Sequence, residues 1–443
     1  MDMDRSRVSI VRYEKPYESV KKAVLDCGGL DRMPSNARVF IKPNIVFWTM
    51  ACTFPKWGVL TTSRVIEDVV VLLKEHGIEN ITIGEGIVAD PDKTEIPAHA
   101  FKTLGYENLR QRYGIKCINI MERPFVKLNL GDGITLNFNE DILESDFVVD
   151  IPVMKAHNQT VVSLGLKNLK GTIDINSRKK CHNANPDKDL HFHVSKLADR
   201  MPPLLNLIDG IYTLERGPGF DGRMRRSNIL VASADILSAD MVGAKILGYE
   251  PVDVPHLAWA AKTRNRPIDL SDIEIVGEKI EDVAVYHEYD FEYSSTVNGE
   301  MPVPLAKQGL EGVFYRKFDD TMCTYCSGLN GLILTVIRQA WQGERWDDVE
   351  VLTGKTMEPA PGMKSTILVG QCMYKKNKNH PAIQKMYAAK GCPPDPQDVV
   401  DALNKAGIKA DSALFAQIDS LPGFFMARYQ DKPEFDESFF QVD

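Results

Sequence analysis

Four cysteines in the last third of the chain have the residue type and spacing for metal chemistry. They are Cys323 and Cys326 in Met-Cys-Thr-Tyr-Cys-Ser-Gly, Cys372 in Val-Gly-Gln-Cys, and Cys392 in Gly-Cys-Pro-Pro. A Cys-x-x-Cys pair brings two thiolates within reach of one centre. Two further single cysteines complete the four that a cubane iron–sulfur cluster or a structural zinc requires. Gly328, Gly331, Gly391 and the Pro393-Pro394 pair surround these positions and let the backbone turn tightly around sulfur. Three readings compete. A single 4Fe-4S cluster suits a cysteine followed directly by proline in glycine-rich surroundings. Structural zinc usually brings two Cys-x-x-Cys knuckles, whereas the second half of this set is dispersed. Unrelated buried thiols are the third reading, since free cysteine is a common core residue. The cluster is the expectation.

A second concentration of chemistry runs from Met154 to His193. Between Lys155 and His182 it carries Lys155, Lys167, Lys170, Arg178, Lys179 and Lys180 against one acid, Asp174, in a chain of net charge −8. It also holds His157, His182, His191 and His193, four of the nine histidines. A solvated basic loop would look the same by composition. This segment, however, leaves the C-terminal end of the strand-like run Asp146–Val153, where open α/β sheets form their crevices. Gly165 and Gly171 allow close approach of backbone to a ligand. The expected site is a pocket for a carboxylate or phosphate, clamped by lysines. Lys42 and Asn44, flanking Pro43 at the end of an earlier strand, join Lys167 and Lys170 as substrate-binding candidates. His157 is the candidate for proton transfer, with Lys155 beside it and Asp209 as an orienting acid. His191-Phe-His193 would serve a metal only on a strand; here it precedes a helical pattern, which makes the two rings diverge.

The elements that must position these groups alternate. Strand-like runs at Arg7–Tyr13, Arg38–Lys42 and Asn80–Gly86 enclose helical patterns at Tyr17–Cys27 and from Ser63 to about His76. This βαβαβ order favours a largely parallel, helix-covered sheet. One helix near Ala98–Tyr113, a hairpin around Gly131-Asp-Gly133, and strands at Leu204–Gly210, Asn228–Ala232 and Ile273–Val276 complete the first part. Asp240, on a helix from Ser238 to Leu247, reads equally as an exposed acid or as one that reaches the crevice. The expected organisation is an α/β ligand-binding domain over 1–277, a connecting segment over 278–310, and a smaller α/β cluster-binding domain over 311–443. The aromatic tail beyond Asp419 is suited to latch onto the body of the chain or onto a partner subunit.

Composition bounds the function. The chain has 443 residues, 44% hydrophobic and 26% charged, ample for more than one core. Its net negative charge argues against a general nucleic-acid binder. Residues 1–7 are polar, and no apolar run reaches bilayer length, so neither a signal peptide nor a membrane partner is expected. Eight cysteines without a signal peptide suit a reducing compartment and metal ligation. The expectation is a cytoplasmic protein of an anaerobic or microaerobic cell.

Several motifs recur in one order: Lys42-Pro43-Asn44, Thr61-Thr62, Gly84-Glu85-Gly86, Lys155-Ala-His157, Leu166-Lys-Asn-Leu-Lys-Gly171, Asp209-Gly210 and the Ala239-Asp240 helix. Over about residues 7–276 this series resembles the family called domain of unknown function 362. The resemblance implies iron–sulfur company, since such proteins often carry cluster-binding segments after this domain, frequently of bacterial ferredoxin type. This chain departs from that pattern. It has the dispersed Cys323, Cys326, Cys372 and Cys392 in place of a dense ferredoxin run, which implies one cluster and not two. The Gly-Cys-Pro-Pro-Asp-Pro stretch also resembles the last ligand segment in the small cluster-binding subunit of respiratory complex I.

Together these readings give an iron–sulfur oxidoreductase acting on a small anionic molecule. The expected partner is an electron donor such as a ferredoxin or flavodoxin. Lys375, Lys376 and Lys378 beside Cys372 read as stabilising a net-negative cluster, as docking a negatively charged carrier, or as a solvated loop. Two alternatives stay open: an electron-transfer or accessory cluster carrier without turnover, and a lyase or isomerase with a structural or Lewis-acid cluster. Neither a flavin nor a nicotinamide fingerprint appears. A homodimer is the simplest assembly.

Overall fold

The computed structural model describes residues 5–87, 95–296 and 299–442. Residues 1–4 of the polar start and 297–298 of the connecting segment lie outside them. The first unit is built on β1 (Ser6–Arg12), β2 (Val39–Lys42), β3 (Ile81–Glu85), β4 (Lys116–Asn119), a hairpin of β5 (Phe125–Gly131) and β6 (Ile134–Asn139), β7 (Phe147–Asp150), β8 (Val153–His157), β9 (Val161–Ser163), β10 (Leu204–Glu215), β11 (Arg223–Ser233) and β12 (Ile273–Gly277). Its main sheet runs β12-β1-β11-β10-β7-β2-β3-β4, with β8 on β10 and β9 on β8. The β1–β12, β7–β10, β8–β10, β2–β7, β2–β3 and β3–β4 pairings are parallel. Those of β11 with β1 and β10, and of β8 with β9, are antiparallel. The α/β, largely parallel architecture follows from the alternation in the sequence. Helix Ser63–Glu75, for example, buries Val65, Ile66, Val69, Val70, Leu72 and Leu73 at helical spacing.

Two elements differ from the sequence pattern, each for a local reason. The run Asp146–Val153 is not one strand. Pro152 has no N–H for the ladder, and the chain breaks there into β7 and β8. The long helix near Ala98–Tyr113 is two helices, Glu95–Thr103 and Tyr106–Tyr113, parted at Gly105 with φ 76°. A Cβ at Gly105 would lie 2.7 Å from Val442, so the C-terminal segment occupies the space that a side chain there would need.

The chain divides into two compact units, but not along linear boundaries. One comprises Met1–Ser177, His191–Asp290 and Pro422–Asp443; the other comprises Arg178–Leu190 and Phe291–Leu421. The C-terminal tail thus leaves the cysteine-bearing unit and packs into the first, because its aromatic rings find aromatic partners there. Phe435 stacks on Tyr212 at 6.1 Å and meets Trp57 at 5.3 Å, and Phe440 stacks on Tyr212 at 6.3 Å. Lys56 closes the seam on Glu437 at 2.9 Å.

In the second unit, β13 (Tyr293–Thr296) and β14 (Gly299–Pro302) form a hairpin. β15 (Val313–Tyr315), β16 (Val349–Leu352), β17 (Ser365–Val369) and β18 (Met386–Ala389) form a parallel sheet in that order. Helices Thr324–Ala340, Gln371–Asn377 and Pro396–Lys405 connect or follow these strands. Among the described residues no helix is long and apolar enough to cross a membrane.

Candidate functional site

In the first unit β7, β2 and β3 are neighbours, and each ends in a charged side chain: Asp150, Lys42 and Glu85. Parallel pairing therefore gathers three charges at the carboxyl edge of the sheet, where α/β folds place their chemistry. Lys42 Nζ donates to Glu85 Oε2 at 2.8 Å and to the Pro43 carbonyl at 2.6 Å. Both side chains of this ion pair are almost wholly buried, at 0% and 3% exposure. The carboxylate also accepts the Ile45 N–H at 2.8 Å and the Gly86 N–H at 2.7 Å. A Cβ at Gly171 would come 2.7 Å from Lys42 Nζ, so glycine is what lets the following loop close over the pair.

A second chain of bonds crosses the same edge. Lys155 Nζ donates to Asn44 Oδ1 at 2.7 Å, Asn44 Nδ2 to Asn168 Oδ1 at 2.9 Å, and Asn168 Nδ2 to Asp150 Oδ1 at 2.8 Å. The loop bearing Asn168 is pinned from behind by Asp240. That carboxylate accepts the N–H groups of Gly165 and Leu166 at 2.7 and 2.8 Å and the Asn206 amide at 3.1 Å. Asp240 is therefore neither an exposed helix acid nor a crevice group, but the anchor of the Leu166–Gly171 motif. Asp209 is also an anchor. It accepts the Thr62 N–H at 2.8 Å and hydroxyl at 2.9 Å, fixing the start of helix Ser63–Glu75. The expected orienting of His157 gives way to this helix-capping role, because Asp209 spends its other oxygen on the Ile211 N–H at 3.1 Å.

Burial sets the protonation of the network. Loss of solvent pushes Asp150 well above the usual carboxylate range, and its Oδ2 finds no hydrogen-bond partner. Desolvation pushes Asp240 up to about 7 despite its N–H donors. Desolvation likewise brings the Lys155 ammonium down to about 7, with Glu85 opposing and Lys42 reinforcing the shift. In an unfolded chain a lysine titrates near about 10.4. Between those two values the folded chain holds fewer protons than the unfolded one, so stability rises with pH across that window. Asp240 acts in a separate window: its raised value makes stability fall as pH climbs from the ordinary carboxylate range toward 7. Lys155→Met is expected to flatten the rise above neutrality, measured as denaturation midpoints from about pH 7 to 10. An unchanged slope would mean that Lys155 is not the buried amine responsible.

His157 stands at the end of β8 and is 4% exposed. Its Nδ1 accepts the Gln159 N–H at 3.0 Å, which leaves the proton of the neutral ring on Nε2. Nε2 faces Lys167 Nζ at 3.4 Å. His191 and His193 lie on helix Leu190–Lys196, and His191 stacks on buried His256 at 5.7 Å, so the His-x-His pair does diverge.

The cysteines of the second unit follow the same carboxyl-edge logic. Cys372 comes after β17 across Gly370 (φ 90°), and Cys392 after β18 across Gly391 (φ 124°). Cys323 caps helix Thr324–Ala340, and Cys326 sits in its first turn. The Cys326 thiol is raised, first by its hydrogen bond to Cys323 and then by burial and the charges of Cys323, Cys392 and Cys372. Cys323 falls to about 5, held as thiolate first by Cys326, then by the N–H groups of Cys326 and Tyr325 and by Lys355. Lys355 Nζ in turn donates to the Lys179 carbonyl at 3.0 Å and to that of His182, and Lys179 Nζ lies 4.9 Å over the Tyr325 ring. The basic segment is thereby divided. Lys155, Lys167 and Lys170 stay with the first unit, while Arg178, Lys179 and Lys180 belong to the cysteine unit. Four thiols, backbone donors and nearby cations suit a net-negative cluster. Among the described residues no three His, Cys, Asp or Glu side chains are placed to grip a single metal ion.

The structure thus brings together Lys42, Asn44 and Lys155 in one network and His157 with Lys167; it buries Lys170 at 7% exposure and sets Asp209 apart. The partners that the sequence did not single out are Glu85, Asp150 and Asn168. Their only local signal was position, at strand ends or inside a glycine-bounded motif.

Residues 39–245 match the family model described as Domain of unknown function (DUF362). Thylakoid-associated protein sll1697 of Synechocystis sp. is 26% identical over 231 residues, covering 50% of this chain and 66% of that protein. The match thus spans just under two thirds of that relative's length. Among solved structures, lactate racemase apoprotein from Thermoanaerobacterium thermosaccharolyticum aligns with a TM-score of 0.37 and 13% identity, over 96% of this chain and 82% of that one. A protein from Thermotoga maritima aligns with a TM-score of 0.32 and 10% identity, over 76% and 71% of the two chains.

Proposed function

We propose that this chain is an iron–sulfur oxidoreductase acting on a small carboxylate- or phosphate-bearing molecule, with one 4Fe-4S cluster held by Cys323, Cys326, Cys372 and Cys392. What supports this reading is the Cys323–Cys326 pair at one helix start, with Cys372 and Cys392 each just beyond a strand of one parallel sheet and their charges acting on Cys326. When bound, the cluster supplies single-electron transfer. Lys355 and the N–H groups of Tyr325 and Cys326 keep the Cys323 thiolate charged. In the first unit Lys167 and Lys170 hold and polarise the anion, and His157 Nε2 holds the proton to be transferred. Lys42, Asn44 and Lys155 keep the strand ends that carry these groups in register. The electron partner would be a small negatively charged carrier such as a ferredoxin or flavodoxin.

One observation favours an accessory electron carrier without turnover. Lys42, Asn44 and Lys155 spend donors on one another, on Glu85 and Asn168, and on backbone, as a structural network does. Anaerobic purification followed by iron, sulfide and EPR measurement tests the cofactor: about four of each per chain is expected. Reduced protein is then mixed with small carboxylates and phosphates, and reoxidation is followed optically. Substrate-dependent reoxidation that drops about 100-fold or more in His157→Gln supports the enzyme. A reducible cluster indifferent to every anion leaves the carrier reading, and zinc without sulfide removes both.

A further inference from the structure

We propose that the first unit carries a separate cationic pocket for a small polyanion bearing two or more phosphate groups and a planar ring. It lies where the start of β11 meets the C-terminal segment and uses none of the network residues described above. A cavity of about 610 Å³ is lined there by Arg223, Arg225, Arg226, Arg428 and Lys432, against one acid of its own lining, Glu434. Such a concentration in a chain of net charge −8 sets up a strongly positive local field.

The cations are only partly neutralised. Glu215 on β10 lies opposite Arg223 and serves two of them, Arg225 at 2.6 Å and Arg223 at 3.7 Å. Arg225 keeps a buried Nε with no hydrogen-bond partner. Arg226 has a neutral partner, Asn228, and its guanidinium lies 4.6 Å from the Tyr212 ring and 4.1 Å from that of Phe439. Arg428 donates one nitrogen to the Asp221 and Gly222 carbonyls, at 2.9 and 3.2 Å. The charges of Asp436 and Asp209 also act on Arg226, and that of Asp221 on Arg428. These contacts hold the guanidinium groups in place while offsetting part of their charge, and groups already held in place are the preorganisation that polyanion binding rewards. Guanidinium forks match phosphate oxygens two at a time. Phe435, half-buried and edge to face with buried Tyr429 at 4.6 Å, lines the same cavity and is the ring against which a planar group can pack.

The test is calorimetric titration of the full-length protein at low salt, with pyrophosphate and ATP as probes. Its readout does not depend on iron content, so it stands or falls apart from the cluster reading. Both probes should bind, ATP more tightly, and both more weakly as salt screens the field. An Arg428→Glu/Lys432→Glu variant should weaken binding about tenfold or more. Arg223→Gln, which removes the charge of a side chain 68% exposed without setting a second carboxylate against Glu215, should weaken it in the same direction. Lys127→Glu, an exposed position on β5, makes a like change of charge outside the pocket and should leave affinity unchanged. No heat with either probe, equal binding in the pocket variants, or equal loss in Lys127→Glu would overturn the proposal. So would pyrophosphate and ATP binding alike, which would remove the ring, or binding confined to oligonucleotides.

Discussion

Glu85→Ala is expected to destabilise the chain by about 3–5 kcal/mol, the range found when one partner of a buried ion pair is removed. The substitution leaves the Lys42 ammonium at 0% exposure facing a cavity, with the Pro43 carbonyl as its remaining acceptor. It also strips an acceptor from the Ile45 and Gly86 N–H groups. Lys155 loses the carboxylate that favours its charged form, so the damage spreads along the same edge. Because a buried pair carries a large desolvation penalty, removing both charges should recover much of the loss, and Lys42→Met/Glu85→Leu is the variant to compare. Urea unfolding followed by tryptophan fluorescence reads both. A loss for Glu85→Ala of under about 1 kcal/mol, as at a surface pair, would mean that solvent reaches the site.

Loss of any one of Cys323, Cys326, Cys372 or Cys392 to serine is expected to take iron and sulfide from about four each per chain to near background. The reason is the divided origin of the ligands. Two come from one helix start, and the other two from loops after separate strands. Cys27 and Cys117 belong to the first unit and have different surroundings. Burial pushes the Cys27 and Cys117 thiols up to about 12, which makes them inert core residues. Cys27→Ser and Cys117→Ser should therefore keep full iron and sulfide. Iron and sulfide retained in Cys372→Ser or Cys392→Ser, both at exposed cysteines, would show that those thiols are not ligands.

Much of this molecule was legible locally. The amphipathic run beyond Thr61-Thr62-Ser63 gives a helix, the apolar run before Lys42 gives β2, and the apolar run before Cys372 gives β17. These signals depend on side-chain period, capping and turn residues within a few positions of each other, and such physics survives in a bare sequence. The C-terminal tail was legible only as sticky. Its rings could match any aromatic surface, and packing around Tyr212 and Trp57 chose the first unit.

The sequence by itself determined the alternating α/β order, the strand-end position of Lys42, and the presence of four cysteines in glycine-rich turns. Only the tertiary structure decided their partners. Lys42 meets Glu85 across 43 positions, Gly165 meets Asp240 across 75, and Asn44 meets Asn168 across 124. Those meetings follow from β7, β2 and β3 lying side by side, an order that chain sequence does not encode locally. Burial then changed what the residues are: desolvation brings Lys155, a catalytic candidate beside His157 by sequence, down to about 7, and Asp209 and Asp240 became anchors of backbone. Desolvation depends on everything packed around a group, and that is a property of the folded chain alone.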